Sequence, residues 1–508
     1  MAQRAVAINP TKPGAIAVGL VVFLTLGTLA AVAWRADFAR GLGPADWAAI
    51  RFTVAQALVS ATLSCLLAIP VARALARRQF RGRGLLVTLL GAPFLLPVIV
   101  AVLGLLAVFG RNGVLNGVLD ALGLPAVSIY GFHGVVLAHV FFNLPLVTRL
   151  ILQGWVSIPS ERFRLAASLN APIGRLLEWP MLRSVLPSAF LVVFLICLTS
   201  FAVALTLGGG PRATTVELAI YQALRFDFDL GRAAMLAMIQ FGLCLIAAAL
   251  VWRISVVDGL GAGLDRHVQR WDGSPAVDYL IITICAFFLM LPMVMVVLRG
   301  LPGLFDLPAD IWRAALRSVI VALISAGLCI ALTLSLALRG GWGVGLVGVL
   351  PLAASSLVVG TGLFLLIYPF ANPAKLALVV TAFVNAVLAL PFALRSVAPA
   401  VDRITADFGR LGASLDLSMW VWTTRIVLPR LRRPLGFAAG LAAALSMGDL
   451  GVIALFAGDA QETLPLAMYR LMGAYRMEAA SGAALILLAL SFALFWICDR
   501  GGRIDADL

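Results

Sequence analysis

The chain alternates long apolar runs with short polar stretches. A helix that crosses the hydrocarbon of a bilayer needs about 20 apolar residues, and twelve runs reach that length, at roughly 14–34, 52–73, 84–109, 131–151, 187–209, 232–252, 277–298, 315–337, 342–369, 376–395, 434–456 and 479–498. Six fall in each half. Pro70, Pro93, Pro97, Pro145, Pro351 and Pro391 lie inside these runs. Spanning helices tolerate them because neighbouring helices re-satisfy the freed backbone groups, so kinks are expected there.

The polar stretches repeat. Asn143-Leu144-Pro145 through Arg149, then Ser157 through Asn170, returns as Leu390-Pro391 through Arg395, then Ile404 through Asp416. Leu144/Leu390, Pro145/Pro391, Arg149/Arg395, Ile158/Ile404, Arg164/Arg410, Leu165/Leu411, Ala167/Ala413, Ser168/Ser414 and Leu169/Leu415 share one ungapped offset, which Ser200 and Ser446 keep. An even number of spans per unit brings both halves in and out on the same face. The repeat is therefore parallel, with its axis along the membrane normal, unlike the inverted repeats of many secondary transporters. The pattern divides the chain into a first unit at 1–252, a polar Gly-rich linker at 253–276 and a second unit at 277–508.

The duplicated loops, at about 157–187 and 402–433, read as a short helix, a sharp break and a second helix returning to the membrane. Ser157, Pro159 and Ser160 in one copy and Thr405 in the other mark helix starts, each followed by an acid, Glu161 or Asp407, suited to a helix N-terminus. Leu165 and Leu169, like Leu411 and Leu415, recur four apart as a narrow apolar stripe flanked by Ala166, Ala167, Gly412 and Ala413. Asn170 and Asp416 follow, residue types that accept the left-handed conformation that ends a helix.

Composition places the whole in a membrane. With 62% hydrophobic and 12% charged residues and a mean hydropathy of +1.04, a chain of this length has too little polar surface for a soluble globule. The first apolar run is too long, and lacks the following small-residue site, to read as a removed signal peptide. The net charge of +14 raises the question of nucleic acid, but its distribution answers it. If Arg4 and Lys12 are cytoplasmic, most basic residues fall on inside segments, including Arg73, Arg77, Arg78, Arg81 and Arg83, and Arg395 through Arg433. That is the positive-inside pattern, with both termini cytoplasmic. The six cysteines and three histidines lack metal-ligand spacing, so no metal site and no catalytic residue is expected.

The loops resemble the EAA loop of ABC importer permeases: Glu-Ala-Ala, three residues, Gly, then a long gap to Leu-Pro. Arg410-Leu411-Gly412 takes the Glu-Ala-Ala place, Asp416 the Gly place, and Leu428-Pro429 follows at the expected distance. Arg164-Leu165-Ala166 and Asn170 map similarly, with Trp179-Pro180 early and Leu186-Pro187 as a second candidate. Both copies lack the glutamate and the glycine. The runs Leu137–Pro145, Ser200–Leu224 and Arg232–Ala237 are similar to the fused permease of thiamine ABC importers, and the resemblance covers essentially the whole length. Fused ferric-iron permeases share the same twelve-span plan.

What the resemblance implies is an all-α integral membrane permease of the type I ABC importer fold, in a bacterial inner membrane, with both pore halves in one chain. Its partners would be two copies of an ABC ATPase at the two loops, a periplasmic substrate-binding protein and the lipid bilayer. The chain carries no energy source of its own: a phosphate-binding P-loop needs Gly-Lys-Ser/Thr, and the two lysines, Lys12 and Lys375, lie in other contexts. ATP and Mg belong to the partner ATPase.

For the translocation path the candidates are polar residues inside spans. Asp449, whose counterpart in the first half is Val203, is costly at that depth unless paired or facing water, and an acid suits a cationic substrate. A gate or helix-packing role for Asp449 stays open. His139, Asn143 and Asn385 are further candidates, with interhelical hydrogen bonding as the alternative. The apolar segment 214–224 is expected to form a short helix at the outer mouth. An ion-coupled secondary transporter would need intramembrane acids in both halves, and these are nearly absent.

Overall fold

The computed structural model describes residues 12–39, 41–91, 96–210, 213–253, 274–458 and 461–503. Among the described residues every regular element is a helix, and eleven are long and apolar enough to cross a membrane. The linker at 253–276, Pro93 and His267 lie almost wholly outside these residues.

Eleven rather than twelve follows from one break. The run expected at 342–369 forms two helices, Trp342–Ala353 and Ser356–Ile367, each too short to span alone. Pro351 lies in the last turn of the first, and the Ser355 hydroxyl caps the second by accepting from the Val358 amide at 3.1 Å. The run at 84–109 divides likewise: Pro97 becomes the N-cap residue of Val98–Phe109, and the span is completed by Val114–Ala121. Pro70, Pro145 and Pro391 stay inside unbroken helices.

The chain forms two compact units. One comprises residues 1–40, 220–241 and 303–508; the other comprises 41–219 and 242–302. These contact boundaries differ from the sequence halves. The first span, Pro13–Arg35, packs with helices of the C-terminal half, where a Cβ on Gly362 would run into the Thr28 carbonyl oxygen. Pro275–Gly303 packs within the other unit, where a Cβ on Gly104 would meet the Pro292 carbonyl oxygen at 2.6 Å. Glycine permits both approaches: dispersion and close backbone contact hold helices together where lipid is as apolar as leucine.

One construction recurs in both units. The Thr53 hydroxyl, in the helix Pro44–Arg77, accepts from the Val216 amide at 2.8 Å. The Ser318 hydroxyl, in Ala309–Arg339, accepts from the Leu464 amide at 2.8 Å. Each hydroxyl thus satisfies an unpaired amide at the first turn of a short helix, Val216–Arg225 or Leu464–Gly473. The first of these is the short helix expected at 214–224.

Candidate functional site

The candidate residues fall in two places: the duplicated loop helices, and the buried polar positions that include the break before Gly451–Phe456.

In the first loop the helix is Ser160–Ser168, preceded by a break at Ser157-Ile158-Pro159. In the second there is no start at Thr405. The helix Ala377–Ser414 runs 38 residues without interruption, about 57 Å at 1.5 Å per residue, against about 30 Å of hydrocarbon. Its last turns therefore project well beyond the bilayer. Pro159, which forces the break in the first copy, has Thr405 in its place, and Thr405 keeps its backbone N–H.

Both helices end in the same way. Asn170 and Asp416 have φ of 50° and 46°. The Ala171 amide donates to Ala166 O at 2.8 Å and the Leu417 amide to Gly412 O at 3.1 Å, while Asn170 N donates to Ala167 O and Asp416 N to Ala413 O. This is the Schellman ending, in which a left-handed residue reverses the chain and satisfies the terminal carbonyls. After it each chain re-enters through a π-helical turn, Gly174–Glu178 or Trp422–Val427.

Leu165, Leu169, Leu411 and Leu415 are 60%, 69%, 51% and 61% exposed, and Ala167 and Ala413 are exposed beside them. The small residues divide by role. Ala166 and Gly412 turn inward with Phe163 and Gly409, so their size reflects packing within the chain rather than a close-lying partner. A Cβ on Gly412 would meet the Trp422 ring at 2.7 Å, and Trp422 is itself buried among Val401, Ile404, Val427 and Leu431. Glu161, Arg164, Asp407 and Arg410 are exposed on the outer faces. Glu161 is held below the usual carboxylate range by its own backbone amide and by the Ser160 hydroxyl.

Sequence reading missed the anchor of the first loop. Glu178, buried, pairs with Arg73 at 3.1 Å and with buried Arg77 at 3.4 Å, tying the returning helix to the helix Pro44–Arg77. The second copy has Val427 before Leu428-Pro429, where Glu178 precedes Trp179-Pro180, and uses Trp422 against Gly412 instead. A lone glutamate next to a Trp-Pro pair was the available signal.

The polar candidates fall into two groups, one in each unit. His139 is buried; its Nδ1 lies 3.4 Å from the Ser60 hydroxyl, and its Nε2 has no partner among the described residues. The Asn143 amide donates to His139 O at 2.8 Å and reaches Cys197 Sγ at 3.5 Å. In the other unit, Asn385 Nδ2 donates to the Ser446 hydroxyl at 3.0 Å, which donates in turn to Ser325 Oγ at 3.0 Å. Asp449 stands at the break between Leu428–Met447 and Gly451–Phe456. Its Oδ1 accepts from the Gly451 amide at 3.2 Å, with the Asn385 side chain and the next two amides beside the carboxylate. Its Oδ2 is buried without an aligned donor among the described residues. The structure therefore brings Asn385 and Asp449 together, and His139 and Asn143 together. Ser60, Ser325 and Ser446 complete the clusters. Sequence reading missed Ser60 and Ser325; hydroxyls seven residues apart in both halves, Thr53/Ser60 and Ser318/Ser325, were the available signal.

No family model matches the chain. Full-length relatives do. The thiamine transport system permease protein of Salmonella typhimurium is 40% identical over 512 residues, covering 96% of this chain and 94% of the relative. Its counterpart from Brucella abortus strain 2308 is 39% identical, covering 98% of this chain and 97% of the relative. That of Escherichia coli K12 is 38% identical and covers 97% of each. Identity at this level along both repeats, over an all-helical membrane fold with two matched loop helices, establishes that the chain belongs to the family of thiamine transport permeases, the fused two-unit permeases of ABC importers.

Proposed function

We propose that this chain carries thiamine, or its phosphates, across a bacterial inner membrane into the cytoplasm, and that the two loop helices receive two copies of a separate ATPase that binds ATP and Mg. Both termini and both loops lie on the cytoplasmic side in this reading, as the arginine distribution requires. A periplasmic binding protein delivers substrate to the opposite face. The observation that carries the reading is full-length identity of 38–40% to permeases named for thiamine transport. Neither a ferric-iron importer nor an ion-coupled transporter is favoured beside it.

The exposed leucines and the inward-facing Ala166 and Gly412 support a division of labour in the loops. One face of each helix is anchored to its own chain, through Trp422 in the second copy; the other offers apolar surface outside the spans. Moving either helix would then move the returning span packed behind it. Asp449 is the residue assigned to face a cationic substrate: an acid with one unsatisfied oxygen inside a span is stabilised by a cation at that oxygen.

Proteoliposomes holding the chain with its ATPase and binding protein test this directly. ATP-dependent accumulation of thiamine or its phosphates is expected. Uptake of ferric ion without thiamine would refute it.

A further inference from the structure

The short helix that follows Asp449, Gly451–Phe456, is not isolated. It lies against Ser356–Ile367 at two close approaches: a Cβ on Gly451 would meet Ser356 Oγ at 2.5 Å, and a Cβ on Gly360 would meet Leu455 Cδ1 at 2.9 Å. From its last residue a row of rings runs outward. Phe456 meets Phe364 edge-on at 5.6 Å, Phe364 stacks on Tyr368 at 5.8 Å, and Tyr368 meets Phe228 at 5.5 Å. Phe456 is 2% exposed and Phe228 is 52% exposed, so the row joins the interior to the surface.

The outer end is water-facing and strained. Phe228 stands between Asp227, which pairs with Arg232 at 3.2 Å, and Asp229, which caps the next helix through the Arg232 amide at 3.0 Å. Charges on both sides are incompatible with burial in acyl chains. Phe228 also has φ of 49°, a left-handed conformation that is costly for an aromatic residue and that glycine would adopt freely. Tyr475, at the equivalent place after the short helix Leu464–Gly473, repeats the left-handed aromatic with φ of 59°.

The row and the acid also occur together. Aligning Gly104 with Gly362 puts Leu106 and Gly110 at the positions of Phe364 and Tyr368, and matching the helices that begin at Trp179-Pro180 and Leu428-Pro429 puts Leu207 at that of Phe456 and Ser200, at the break before Phe201–Leu207, at that of Asp449. The first half thus has neither the rings nor the carboxylate.

We infer that Phe228, Tyr368, Phe364 and Phe456 are positioning residues, a row of rings that links the outer surface, where a loaded binding protein arrives, to the helix that presents Asp449 to substrate. The inference rests on the importer reading for the identity of the docking partner, though not for the mechanical link. Ring pairs of this kind hold geometry because edge-on and offset contacts are favoured over other orientations. Removing one ring frees the Asp449 helix from the surface without touching Asp449 or the loops.

The test compares the wild-type chain with Tyr368→Ala, Tyr368→Phe and Phe364→Leu by two readouts. The first is hydrogen exchange over residues 451–456 in the purified permease. The second is ATP hydrolysis by the reconstituted complex, with and without loaded binding protein. Tyr368→Ala and Phe364→Leu should speed exchange over 451–456 about threefold to tenfold, the loss expected for one or two ring pairs. They should lower binding-protein stimulation by a similar factor and leave basal hydrolysis unchanged. Tyr368→Phe keeps the ring and should restore both. A chain carrying both Tyr368→Ala and Phe364→Leu should be less affected than the product of the singles, since both break one row. Faster exchange in the variants, with no binding-protein stimulation even in the wild type, would uphold the row and refute the importer reading. Unchanged exchange and unchanged stimulation in both ring-deleting variants would overturn the inference.

Discussion

Gly412 and Trp422 offer a quantitative test of how the second loop helix is held. A methyl group at Gly412 would sit 2.7 Å and 2.8 Å from two ring carbons of Trp422, distances that packed carbons do not reach. The ring has little room to retreat, because it is buried with Val401, Ile404, Val427 and Leu431. Overpacking of this kind costs about 1–3 kcal/mol, while alanine recovers about 1 kcal/mol of helix propensity over glycine. The expected net loss for Gly412→Ala is therefore about 1 kcal/mol, and up to about 2. Combining Gly412→Ala with Trp422→Leu removes the ring that the new methyl group meets, so the double variant should lose less than the sum of the singles, by about 1 kcal/mol. Hydrogen exchange over 405–428 reads the local opening free energy directly, without assuming that the whole membrane protein unfolds in one step. A Gly412→Ala chain that exchanges like the wild type, with additive effects in the double variant, would refute the packing argument.

Three further outcomes follow from the same geometry. Asp449→Asn should weaken thiamine uptake at least tenfold, roughly the 1.4 kcal/mol of a lost charge contact, while assembly and basal ATP hydrolysis persist; unchanged uptake would remove Asp449 from the path. Ala167→Glu and Ala413→Glu, both on exposed faces, should leave the spans folded but weaken ATPase co-purification, with Ala413→Glu the more damaging because its loop keeps the family spacing to Leu428-Pro429; normal ATPase binding and transport in both would make the loops ordinary connections. Asn170→Gly and Asp416→Gly should each slow exchange over their own loop by about 0.5–1 kcal/mol, since glycine adopts the left-handed conformation without steric cost; faster exchange would mean that the side chains, not the backbone, stabilise the turns.

Local chemistry was legible in the linear pattern. The apolar runs located the spans because the hydrocarbon sets their length, and one offset revealed the duplication. Asn170 and Asp416 could be read as left-handed helix ends because the preference belongs to the residue itself. Asp449 stood out because a carboxylate inside a span needs a reason.

Three matters were decided only by tertiary structure. The break of the 342–369 run and the unbroken passage through Thr405 are matters of where a helix stops, and an apolar run continuous through both leaves the stopping point unmarked. The division of Ala166 from Ala167, and of Gly412 from Ala413, into buried and exposed depends on what lies behind each helix; Trp422 reaches Gly412 only because the chain reverses at Asp416, and the Glu178 pair joins residues about 100 apart in sequence. The packing of the first span with the C-terminal half, and of Pro275–Gly303 with the N-terminal half, has no trace in a repeat read along the chain. A repeat records descent from one unit. Packing records which small residues let two backbones approach, and Gly362 against Thr28 or Gly104 against Pro292 becomes readable only when both partners are in place.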